Sequence, residues 1–99
     1  MKVIVADHAG GFAEDKDVAR RLRQEVVETS LARGEKVVLD FGGVELATQS
    51  FIHALICDVI RRRGPRVLDK ISFKGCNPTV KSLVRVVSEY SQDAEDQDV

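Results

Sequence analysis

The sequence is short of the features that mark secreted, metal-binding or membrane proteins. It has two cysteines, Cys57 and Cys76, and no C-x-x-C pair, which leaves no disulfide framework and gives no reason to expect a structural zinc site in a chain suited to a reducing cytosol. It has no excess of one charge: 15 Lys and Arg stand against 16 Asp and Glu, a net charge of -1. No long-range attraction to nucleic acid or anionic lipid follows from that balance. It has no long hydrophobic run either. The apolar opening stops at Asp7, short of a signal-peptide core and far short of the roughly 20 apolar residues of a membrane span. Internal repeats are absent. What is there is a chain of 99 residues, 43% hydrophobic and 31% charged, enough for one globular domain with one layer of sheet and at most one site. The expected location is the cytoplasm, and the expected partner is a protein or a small molecule.

Lys2 to Ala6 reads as a first strand, ended by Asp7-His8-Ala9-Gly10-Gly11. From about Glu14 the period changes. Val18, Leu22, Val26 and, more loosely, Leu31 recur at helical spacing, with Arg20, Arg21 and Arg23 on a basic outer face. Lys36 to Phe41 is a second, central strand, and its apolar run predicts cover on both faces. Gly42 and Gly43 break it. A helix follows from about Gln49 to Arg63, closed by cations, Gly64 and Pro65. Its apolar positions cover more than one side, so it either packs centrally or presents an apolar patch to a partner. Arg66 to Lys74, with Val67, Leu68, Ile71 and Phe73, reads as a third strand, weaker because Asp69 and Lys70 interrupt it. Asn77 as cap and Pro78 at the first position then open a last helix with an apolar stripe through Val80, Leu83, Val84, Val87 and Tyr90. The order predicts an α/β fold: a small, mainly parallel sheet with packed helices over residues 1–90, followed by an acidic disordered tail at 91–99.

The strongest functional signal is the polar crossing between the central strand and its helix. Either Thr48 or Ser50 can cap the helix, because a side-chain oxygen there can accept from free backbone N–H groups of the first turn. A hydroxyl at a helix start is also a candidate phosphoacceptor, since the unpaired N–H groups and the positive end of the dipole favour the added charge. Ser50 is the first candidate and Thr48 the second. Asp40 at the strand exit is suited to orienting the turn. His53 reads as a histidine at the edge of the core. Cys76 reads as a small buried thiol, the alternative being a thiol activated by the following helix start. No residues stand at spacings that suggest a metal set or an acid–base pair, and no cofactor is expected.

Two stretches resemble known families. Met1 to Phe12, with Asp7-His8-Ala9-Gly10 after the first strand, looks like the opening of B-type ribose-5-phosphate isomerases. That resemblance implies a sugar-phosphate site using Asp7 and His8 with a cysteine in a glycine-rich turn. Cys76 has no such run of glycines around it. Val37 to Ile52, reading Val-Val-Leu-Asp-Phe-Gly-Gly-Val-Glu-Leu-Ala-Thr-Gln-Ser-Phe-Ile, resembles the core of STAS-type domains, and most closely the compact STAS-like branch. In anti-sigma-factor antagonists of that kind a Ser at the helix start is phosphorylated, and Ser50 falls on that position. Thr48, Gln49 and Phe51 depart from the antagonist pattern. The resemblance implies a non-enzymatic module of a bacterial partner-switching system. Its binding face would comprise Asp40, Gln49, Ser50 and Phe51, and its partner would be a histidine-kinase-like ATPase or an anti-sigma protein. A third reading is an oligomerisation domain that uses the apolar surplus of the central helix to form a homo-oligomer.

Overall fold

The computed structural model describes residues 1–96. In chain order it contains β1 (Lys2–Ile4), a short helix α1 (Val5–Ala9), β2 (Phe12–Ala13), a long helix α2 over 16–32, β3 (Val37–Asp40) and β4 (Leu46–Ala47). A second long helix α3 over 49–63, a 3-10 turn (Pro65–Asp69), β5 (Ile71–Lys74) and α4 (Pro78–Asp96) complete it. β1, β3 and β5 form one parallel sheet in that order, with Val38 between Lys2 and Ser72 in register. The expected α/β class and the mainly parallel sheet are therefore present, with β3 at the centre.

Cover is on one face only, which corrects the expectation for β3. Right-handed crossovers between strands laid down in a single direction put their helices on one side of the sheet. The burial follows that rule: Val3, Val37, Leu39 and Ile71 are buried, whereas none of the alternate positions Lys2, Ile4, Val38, Asp40, Ser72 and Lys74 is. The apolar Val38 misled because it is only half covered.

The helix layer is built around α3, which touches both α2 and α4. Phe51, Ile52, Leu55, Ile56, Val59 and Ile60 are all 0% exposed, each such burial stabilising the fold by about 2 kcal/mol. The apolar surplus is thus spent inside the chain. The oligomerisation reading loses the surface on which it rested. Both long helices carry a π turn, Arg23–Val27 in α2 and His53–Cys57 in α3. Arg63 closes α3 onto α2 through Glu28 at 3.1 Å.

The third strand is shorter than the sequence suggests, Ile71–Lys74, because Pro65–Asp69 forms a 3-10 turn, and three other elements depart from the sequence reading. The first strand stops at Ile4, and Val5–Ala9 is helical up to Gly10, so Asp7 and His8 lie in a helix rather than a turn. The last helix runs to Asp96, and Ser91 is fully buried with its hydroxyl donating to the Val87 carbonyl at 2.7 Å. A small residue had continued the stripe where none was read, so the tail boundary at 91 is too early; residues 97–99 lie outside the described residues. Thirdly, β2 and β4 pair in parallel. The Gly11 carbonyl accepts from Glu45 and Leu46, and the Ala13 carbonyl from Thr48, which straps the entry of α2 to the entry of α3. No helix among the described residues is long and apolar enough to cross a membrane.

Candidate functional site

The start of α3 is fixed by Thr48. Its backbone is extended, and its hydroxyl oxygen accepts from the Phe51 N–H at 3.1 Å, the geometry of an N-cap. The choice left open by the sequence is therefore decided. Ser50, one residue inside the helix, does not cap it and is exposed. Gln49 is exposed beside it. Phe51 points into the core at 0% exposure, which removes it from the expected binding face.

Ser50 and Gln49 line an open groove of about 600 Å³ between the beginnings of α2 and α3 and the end of α4. Lys16, Arg20 and Arg23 come to it from α2, and His53, Ala54 and Asp58 from α3. Tyr90 of α4 closes the far side, its hydroxyl 2.7 Å from His53 Nδ1 and the two rings 5.8 Å apart. Three cations against one carboxylate give the groove a positive surplus in a chain whose net charge is -1. Arg20 also meets Asp17 at 3.2 Å in an exposed ion pair, the kind that binds weakly and exchanges readily.

Arg23 builds the wall between the helices. It is only 8% exposed, and its Nη1 donates to Asp58 Oδ2 at 2.8 Å and to the Ala54 carbonyl at 3.2 Å. Ala54 sits in the π turn of α3, where N–H groups reach back five residues instead of four. A carbonyl there loses its usual donor, and the guanidinium supplies one. π turns are rare and cluster at functional sites, and the two among the described residues both contribute lining residues to this groove.

Asp40 does not belong to the groove. Its carboxylate accepts from the Gly42 N–H at 2.8 Å and meets Lys2 at 3.6 Å. It orients the turn as the sequence suggests, but it stands beside a second, smaller recess of about 380 Å³ that contains Gly75, Cys76, Lys81 and Arg85. Burial pushes the Cys76 thiol above its ordinary value; Lys81 opposes the shift and Asp40 adds to it. That direction disfavours a reactive thiolate. Asp7 and His8 are exposed on α1 and line neither recess. Of the three residues of the isomerase reading, only Cys76 lines one of these two recesses. No group of three or more His, Cys, Asp or Glu that could hold a metal ion occurs among the described residues.

The sequence reading found Gln49 and Ser50 but missed Lys16, Arg20, Arg23, Asp58 and Tyr90 as their neighbours. The five-residue step between Leu22 and Val27, both buried, was the available signal, since an extra residue in a helix rotates everything on one side of it. A family model described as a STAS-like domain of unknown function matches residues 18–81, from α2 into α4. No curated protein and no solved structure matches the chain.

Proposed function

The chain belongs to the family of STAS-like domains, and from that premise we propose that it is a non-enzymatic regulatory module that binds a partner protein through the groove at the start of α3. The observation that carries this reading is that Thr48 takes the capping role and leaves Ser50 exposed in a groove with three cations. Ser50 is thus accessible to a kinase, and Lys16 and Arg20 are at hand to receive the phosphoryl oxygens. Phosphorylation would add about two negative charges and cancel the positive surplus of the groove. The switch is a difference in affinity: the unmodified groove binds and the modified groove does not. By the STAS-type resemblance, the partner is a histidine-kinase-like ATPase or an anti-sigma protein of a bacterial partner-switching system in the cytoplasm.

A pull-down from native cytoplasm with the wild type and a Ser50→Glu variant, followed by mass spectrometry of bait and prey, tests it. Retention of such a partner by the wild type only, with phosphate on Ser50, is the expected result. Identical prey with both baits and an unmodified Ser50 would defeat the switch, and the absence of any specific prey would defeat the module.

A further inference from the structure

The groove has two chemically distinct ends. On α2, Lys16 has no ion-pair partner among the described residues, and Arg20 has only its exposed pair with Asp17. The two are four residues apart, so they lie on one helix face with side chains about 6 Å apart. Arg23 is engaged with Asp58 and the Ala54 carbonyl and serves as wall rather than as free donor. At the other end the hydrogen-bonded His53–Tyr90 pair, its rings tilted by 32°, offers with Ala54 an aromatic and apolar seat. The volume of about 600 Å³ holds a few side chains.

The geometry points to a partner segment of defined chemistry: an acidic amphipathic helix with two carboxylates one turn apart, set on Lys16 and Arg20, and an apolar side chain seated on the His53–Tyr90 pair. This inference rests on the proposed interaction module and names what it recognises. It also gives the switch a physical cause. A phosphoryl group on Ser50 would engage the same two cations from within the chain and displace the carboxylates of the partner.

The test is a titration of the 15N-labelled full chain, followed by amide shifts, with three short helical peptides. One carries Glu at two positions one turn apart with Leu a turn further on; the others replace both Glu by Gln or by Lys. The Glu peptide is expected to shift residues 16, 20, 50, 53 and 90, and the Gln peptide to bind at least about tenfold more weakly. Both cations are exposed, so the Lys16→Glu/Arg20→Glu variant keeps its fold by circular dichroism; it should lose the Glu peptide and accept the Lys peptide. Equal binding of the Glu and Gln peptides, or no groove shifts at millimolar peptide, would overturn the inference. So would shifts with inorganic phosphate in the absence of any with the Glu peptide, which would assign the groove to a phosphoryl ligand. In the native pull-down, a prey kept equally by the charge-reversed variant would sink the inference and leave the module standing, whereas no prey with the wild type would sink the module itself.

Discussion

Replacing Arg23 by Met separates the two things its guanidinium does. The methionine retains most of the buried stem, so the packing loss is small. What disappears is the donor to the Ala54 carbonyl and the pair with Asp58. An unsatisfied carbonyl between packed helices costs about 1–3 kcal/mol. Asp58, whose side chain is 43% exposed, can be rehydrated, so its share is below about 1 kcal/mol. The expected loss is about 1–4 kcal/mol, and in a domain of this size a loss of about 2 kcal/mol lowers the Tm by roughly 8–16 °C. Asp58→Asn, which keeps an acceptor but removes the charge, should cost about 0.5–1 kcal/mol. Urea unfolding of both variants and the double mutant, followed by far-UV circular dichroism, reads these values and their coupling. If Asp58→Asn costs as much as Arg23→Met, the ion pair and not the freed carbonyl joins the helices. A loss below about 0.5 kcal/mol for Arg23→Met would refute the account of the π turn altogether.

Thr48→Ala should lose about 1 kcal/mol in the same assay, and Ser50→Ala less than about 0.5 kcal/mol, because only the former removes a cap; the reverse order would move the cap to Ser50. Gly75→Ala should cost at least about 2 kcal/mol, since its φ is +70° and an added Cβ would lie 2.7 Å from both Asp40 Oδ1 and the Gly42 nitrogen. Measured stability close to wild type would show that the turn yields instead. Cys76 should alkylate more slowly than a free thiol at pH 8, with its rate still rising above the range where ordinary thiols level off. Its raised pKa also means that any stability tied to the neutral thiol is present below the unfolded value of about 8.5 and falls as pH rises from there. Faster alkylation than a free thiol at pH 8 would contradict both.

The elements that were legible in the sequence are those whose own residues define them. β3 announces itself by Val37, Val38 and Leu39 ahead of two glycines, α3 by its apolar density and its Arg-Gly-Pro ending, and α4 by Asn77-Pro78. Two-residue strands have no period to detect, so the pairing of Phe12 with Leu46 stayed hidden. α1 begins without a side-chain cap, which removed the usual sign of a helix start. The π turns hid the most. Arg23 stands four residues after buried Ala19 and beside buried Leu22, so ordinary helical spacing brings it to the contact with α3, while the extra residue of the π turn shifts the buried positions that follow, to Val27 and Leu31. The groove was half legible for the same reason: Gln49 and Ser50 advertise a helix start, but no local pattern says which face of another helix will lie opposite.

The strand order has a kinetic consequence. β3 finds its partners only in segments more than thirty residues away on either side, and both ladders are parallel. No hairpin can therefore form first; sheet formation must wait for the closure of a crossover loop, at an entropic cost paid before any ladder bond is made. Until then the Val37-Val38-Leu39 run is an unpaired apolar segment open to association with other chains. Substitutions that loosen the contact between α2 and α3 should then slow refolding and raise aggregation during it, because that contact is what brings β1 and β5 to the two edges of the waiting strand.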